Sequence, residues 1–159
     1  APSMLASSSG LAMAISAAAT ARSSPRAEPM PMRALPAPLM TDFAVISLSD
    51  LMTPWDVIEG RLGHLAAADV ALAIYNPASG RRTRQLERAR EILLEHRSPG
   101  TPVGIVRNAT RPGQAVTITD LSHLPEHPID MLTVLIVGNS QTIVQKGRMI
   151  TRRGYLSKR

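Results

Sequence analysis

The chain has 159 residues, 44% of them apolar, with no cysteine, four aromatics and a formal net charge of +6. That length holds one ordinary domain, alone or with a tail. The lack of thiols excludes disulfide frameworks, zinc–thiolate and iron–sulfur sites and cysteine nucleophiles, and fits a reducing cytoplasm; no apolar run reaches the roughly 18 residues of a spanning helix.

Residues 1–41 are dominated by Ala, Ser, Met, Pro and Arg. Leu5 to Ala21 is alanine-rich enough for a helix, although Ser7, Ser8, Ser9 and Gly10 weaken its start. Pro25, Pro29, Pro31, Pro36 and Pro38 then make 24–38 a flexible linker. The acid-poor, Arg- and Ser-containing start also resembles an organellar transit peptide.

From Asp42 the pattern becomes that of an α/β domain, expected over 42–151. Phe43 to Leu48 is a short β-branched apolar run and reads as a buried strand. Thr53 as N-cap, Pro54 at the first helical position and Asp56 near the third predict a helix start. Trp55, Ile58, Leu62 and Leu65 then share the face that packs on the sheet. Asp69 to Tyr75 is near-continuously apolar, a strand covered on both sides. A second amphipathic helix is predicted from Arg81 to His96. Leu86, Ala89, Leu93 and Leu94 point inward, and Arg84/Glu87, Glu87/Arg90 and Arg88/Glu91 form pairs outside. Strands follow at Pro102–Val106, Ala115–Thr119 and Met131–Val137, and Lys146-Gly147 marks a hairpin turn within 142–151. Residues 152–159 form a basic tail.

The charge belongs to the two ends. Arg22, Arg26 and Arg33 against Glu28 leave +2 on residues 1–41, and Arg152, Arg153, Lys158 and Arg159 leave +4 on 151–159. Residues 42–150 carry eleven basic and eleven acidic residues. With so few aromatics there is no base-stacking platform, so nucleic-acid binding is the weaker reading.

Three strand ends carry polar, turn-forming residues: Tyr75-Asn76-Pro77, Arg107-Asn108-Ala109-Thr110 and Gly138-Asn139-Ser140. In open α/β sheets ligands bind outside the carboxyl ends of strands; each loop taken singly reads better as a plain turn, and it is the three together that point to a site. Other chemistry is poorly supported. His123 and His127 have Pro125 between them and cannot share a helical face as a metal pair, so no metal site is expected. Ser49 and Asp50 lack a nucleophile-elbow context and read better as helix caps. No Walker loop or dinucleotide fingerprint occurs, so no catalytic residue is assigned.

These residues carry a resemblance. The run from Ala37 to Trp55 (APLMTDFAVISLSDLMTPW), Ile74-Tyr-Asn-Pro77, Arg84 to Ile92, Thr101 to Asn108 and Val137-Gly-Asn-Ser-Gln-Thr142 resemble the precorrin-3B C17-methyltransferase family. Gly147 to Tyr155 is similar too. The resemblance implies S-adenosylmethionine as cofactor, methylation of C17 of a precorrin-type tetrapyrrole with ring contraction, and a place in cobalamin biosynthesis. It places Tyr75, Asn76, Pro77, Arg107, Asn108, Ala109, Thr110, Gly138, Asn139 and Ser140 around the cofactor. Ser47, Ser49, Asp50, Thr53 and Trp55 fall on the substrate side, and Arg81, Arg82, Arg107 and Arg111 are candidate partners of tetrapyrrole carboxylates.

Family members have two α/β domains with the methyl donor between them. The N-terminal one, with its loop ending in Gly-Asp-Pro, has no counterpart in this chain. The expected fold is therefore the α/β, mixed-sheet C-terminal domain of the tetrapyrrole methylase fold with the N-terminal domain missing or incomplete, residues 11–36 being an insertion or a disturbed reading frame. A cytoplasmic homodimer is expected, with no membrane or nucleic-acid partner. The alternative function is a non-catalytic folded remnant, or a dimerisation module, of the same family.

Overall fold

The computed structural model describes residue 39 and residues 41–152 apart from 81 and 83. The expectations for the alanine-rich helix, the linker, Arg81 and residues 153–159 lie outside the described residues.

A βαβ unit opens the domain: β1 (Phe43–Ser47), α1 (Trp55–Ala67) and β2 (Ala71–Tyr75), with β1 and β2 paired in parallel. A second helix, α2 (Arg84–His96), leads to β3 (Pro102–Arg107) and its antiparallel neighbour β4 (Ala115–Asp120). A single 3-10 turn at Leu124–Glu126 precedes β5 (Thr133–Val137). The sheet order is β1-β2-β5-β3-β4, so the last core strand is inserted between the two earlier strands that α2 connects. It runs antiparallel to both. The sheet is therefore mixed, as expected, and β1, β2 and β3 point one way while β4 and β5 point the other.

The strand sequences explain the two faces. Side chains alternate across a strand, and Leu72 and Ile74 of β2 join Ile46, Leu135, Val103 and Ile105 in the core under both helices. α1 contributes Ile58, Leu62 and Ala66, and α2 contributes Ala89, Ile92 and Leu93. Ala71, Ala73, Val106 and Ile136 face the other way, where Leu39 and Met149 cover them. Met149 comes from the hairpin β6 (Thr142–Gln145) and β7 (Arg148–Thr151). Its turn has φ of 50° at Lys146 and 68° at Gly147, the pair of positive angles that a two-residue hairpin requires.

Several boundaries differ from the sequence pattern. α1 begins at Trp55, and Pro54 rather than Thr53 is its N-cap, because Pro54 is extended (ψ 143°). Its carbonyl accepts the Ile58 N–H at 3.3 Å, and no side chain caps this end. α2 begins at Arg84, after a bridge between Ser79 and Arg82. Met131 and Leu132 lie before β5 and are each 45% exposed. Of the three ion pairs expected on α2, Arg88–Glu91 forms at 3.0 Å. Arg88 also reaches Glu59 of α1, while Arg90 turns to the backbone carbonyls of Leu121 and Ser122.

Candidate functional site

Strand direction decides which loops meet. Tyr75 pairs with Val134 and Arg107 with Thr133, so the ends of β2 and β3 flank the start of β5. Tyr75-Asn76-Pro77 and Arg107-Asn108-Ala109-Thr110 therefore share one end of the sheet. Gly138-Asn139-Ser140 also follows a strand's carboxyl end, but β5 is antiparallel, and Val137 pairs with Leu72 and Val103 near the starts of β2 and β3. The expectation that all three loops line one cleft is corrected: the third lies at the opposite end, about 15 Å away along strands of this length.

The shared end is built from unusual backbone. Asn76, Asn108 and Thr110 have φ of 50°, 51° and 63°. Asparagine tolerates this region through its short polar side chain, but a β-branched residue does not, and such a conformation costs about 1–3 kcal/mol. Thr110 is held there by bonds from its N–H to Gln114 (2.7 Å) and from its hydroxyl to the Ala109 carbonyl (2.6 Å). The Asn108 N–H donates to the Leu132 carbonyl at 3.0 Å, tying the loop to the approach of β5. Arg107 bonds Asp130 at 2.9 Å. Burial alone would raise the Asp130 carboxyl, but bonds from Arg107, Thr133 and the Leu132 N–H together hold it below its usual range.

The residues expected on the substrate side gather next to this end. Asn76 donates from its side-chain amide to the Ser47 hydroxyl at 3.3 Å, and the Ser49 N–H donates to the same oxygen at 3.1 Å. Asp50 caps no helix. It accepts from Gln85 at 3.0 Å and Arg82 at 3.4 Å, which joins the loop after β1 to the start of α2. Arg82 also bonds Ser79 and the Leu48 carbonyl. It is thus a clasp between loops, and its guanidinium is committed to the protein. Trp55 packs partly buried against the helical core. A cavity of about 610 Å³ opens beside β1, with Ser47, Ser49, Thr53 and Tyr75 on its wall. Leu51 and Met52, in the loop above it, are 81% and 95% exposed. Arg111 lies in the exposed loop between β3 and β4.

The opposite end holds two arrangements that the sequence pattern did not reveal. Arg97, directly after α2, is 7% exposed and donates to the carbonyls of Val70 (2.6 Å) and Gly138. Burial lowers its pKa from the ordinary arginine value, and the nearby Asp69 carboxylate opposes that. Asp69, with φ of 53°, accepts from the Ser140 N–H (2.9 Å) and hydroxyl (2.5 Å), and its own carbonyl accepts from Asn139 (3.0 Å). The Gly-Asn-Ser loop is therefore a fold clamp. No local periodicity marks Arg97; a lone basic residue at a helix end reads as ordinary dipole complement.

His123 sits at this end too, after β4. Its Nδ1 lies 2.8 Å from Asp120, which also accepts from the Ser122 hydroxyl at 2.6 Å. The Ser122 hydroxyl and the His123 N–H hold the Asp120 carboxyl well below the usual carboxylate range, and the bond to Asp120 raises the imidazole of His123. Serine and aspartate meet the same ring nitrogen, so this is a hydrogen-bonded turn and no charge-relay geometry. Among the described residues no group of three or more His, Cys, Asp or Glu could hold a metal ion, and no helix is long and apolar enough to cross a membrane.

Comparison with known proteins gives a consistent picture. Residues 32–125 match the family described as Tetrapyrrole (Corrin/Porphyrin) Methylases. The chain is 52% identical over 124 residues to a cobalt-factor III methyltransferase of Priestia megaterium, covering 78% of this chain and 23% of that protein. It is 48% identical over 121 residues to a probable cobalt-factor III C(17)-methyltransferase of Salmonella typhimurium, covering 76% and 50%. Among solved structures, the methyltransferase CobJ superposes with a TM-score of 0.70 at 40% identity, covering 77% of this chain and 51% of that one. The cobalt precorrin-4 methyltransferase CbiF, with a TM-score of 0.52 at 18% identity, shares the fold. The chain spans about half or less of the length of these relatives.

Proposed function

Because the chain belongs to the tetrapyrrole methylase family, we propose that it supplies the C-terminal half of a cobalamin-biosynthetic enzyme that methylates C17 of a precorrin-3B or cobalt-factor III macrocycle, with ring contraction. The observation that carries the reading is the pair of positive-φ loops, Tyr75–Pro77 and Arg107–Thr110, held side by side at one end of the sheet. The Asn108 and Thr110 N–H groups are spent within the protein, which leaves the backbone N–H groups of Asn76 and Ala109 to hold a nucleoside, and Ala109 adds only a methyl group where a ligand must approach closely.

The residues present fit S-adenosylmethionine, which when bound supplies a methyl group already activated on a sulfonium. In this proposal the backbone near Asn76 and Ala109 holds adenine and ribose, while the hydroxyl-lined cavity beside β1 faces the macrocycle. A reaction of this type needs the protein to orient two carbons and exclude water more than to donate a nucleophile. The Asn76–Ser47 bond serves that end, since it fixes the cofactor loop relative to the substrate-side strand. A homodimer and a cytoplasmic location belong to the same proposal.

Calorimetric titration with S-adenosylhomocysteine tests it. The chain is expected to bind with a dissociation constant on the order of micromolar, and Ala109→Trp, which fills the rim, is expected to weaken binding at least about tenfold without unfolding the domain. No binding at millimolar ligand would leave a folded remnant of the family as the better description.

A further inference from the structure

The cavity beside β1 holds more than the hydroxyls that the sequence pattern pointed to. Its apolar part on the helical side comes from Ile46, Ile58 and Leu65, and its far wall on α1 carries Arg61 and His64. Five arginines of the domain are spent on the protein: Arg82 on Asp50, Arg88 on Glu59 and Glu91, Arg107 on Asp130, and Arg90 and Arg97 on backbone carbonyls. Arg61, like Arg84, Arg111 and Arg148, is exposed and has no such partner among the described residues, and of these four it alone lines the cavity. His64 bonds the Gly60 carbonyl through Nδ1 at 2.6 Å, which leaves Nε2 as its second polar atom.

An unpaired guanidinium, hydroxyls on Ser49 and Thr53 and an apolar floor make a site for an apolar ring bearing a carboxylate. We propose that this cavity is a substrate subsite in which Arg61 takes a peripheral carboxylate of the tetrapyrrole while the pyrrole edge rests on Leu65. The inference rests on the methylase reading above and adds a specificity residue to it. Arginine suits the task because its planar fork matches a carboxylate in two bonds, where lysine offers a point charge. Tyr75 belongs both to this wall and to the end of β2, so a macrocycle anchored at Arg61 extends toward the loops that would hold the methyl donor.

The test uses the chain's single tryptophan, Trp55, two residues from Thr53 on the cavity wall. Uroporphyrin III, which bears carboxylates around its whole rim, and its uncharged octa-amide are titrated while Trp55 emission is followed. Uroporphyrin is expected to quench saturably, and Arg61→Gln to weaken its binding about tenfold while leaving the octa-amide unchanged. Arg61→Lys recovers part of the loss. Arg148→Gln, on the exposed hairpin, changes nothing, and an unaltered melting temperature shows that each variant is folded. Equal uroporphyrin affinity in Arg61→Gln, or an equal loss for both porphyrins, overturns the proposal, as does absence of quenching in the unsubstituted chain. If S-adenosylhomocysteine still binds in those cases, the subsite fails and the methylase reading stands; if it does not, both fail.

Discussion

Replacing Arg97 with leucine is expected to destabilise the domain by about 3 kcal/mol and to lower its melting temperature by roughly 15 °C. The guanidinium is 7% exposed and satisfies the carbonyls of Val70 and Gly138, which come from the two ends of sequence that close this corner of the sheet. Leucine fills much of the volume but leaves both carbonyls buried without a donor, at about 1–3 kcal/mol each, with some return from its apolar surface. The native arrangement is not free of cost either. Nε of Arg97 is buried with no bond partner, and desolvation of the charge already depresses its pKa. Arg97→Lys therefore recovers only part of the loss, since one ammonium cannot reproduce the fork that spans two carbonyls. Urea unfolding decides the matter, and a loss below about 1 kcal/mol would show that water or backbone relaxation serves those carbonyls equally well.

Gly138→Ala is the second large effect, expected at about 3 kcal/mol. A Cβ built at Gly138 lies 2.6 Å from both Cβ and Cγ2 of Thr142 and 2.8 Å from its Oγ1. Thr142 cannot step aside, because its hydroxyl accepts from the Asn139 N–H at 2.9 Å and sits 2.8 Å from the Thr151 hydroxyl across the hairpin. The backbone must move instead, and the Gly138 N–H bond to the Pro102 carbonyl (2.9 Å) moves with it. The two substitutions damage one corner, so the double variant is expected to lose less than the sum of the single losses. Thermal melting of the four proteins measures that coupling, and full additivity would place the two effects in separate units.

That corner bears on function through what it is not. The Gly-Asn-Ser-Gln-Thr run is among the most recognisable of the chain, and sequence pattern groups it with the other polar strand ends. The structure spends its residues on Asp69, Arg97 and the hairpin. Strand existence was legible: alternation and apolar runs place β1 to β5 within about two residues, and Lys146-Gly147 alone specifies the hairpin. Direction was not legible, because a period-two pattern is the same read either way. β5 is reached from β4 by a connection with no α-helix, only the 3-10 turn at Leu124–Glu126, and enters between β2 and β3; nothing in its apolar sequence distinguishes a central antiparallel strand from a parallel one. The helix start at Thr53 failed for a local reason, since Pro54 takes an extended ψ and passes the capping role to its own carbonyl. Arg61 and Arg97 read alike in the sequence, as basic residues on or beside amphipathic helices. Only packing separates the one that is buried and committed from the one left unpaired on a cavity wall.

In the proposed enzyme the cofactor end of this domain is formed by Tyr75–Pro77 and Arg107–Thr110 and excludes Gly138–Ser140. Backbone amide shifts recorded by NMR during titration with S-adenosylhomocysteine test it most directly. Shifts confined to the amides around Asn76, Ala78, Asn108, Ala109 and Thr110, with Asn139 and Ser140 unmoved, are the predicted result. Shifts centred on Asn139 and Ser140, with the two positive-φ loops silent, would contradict it.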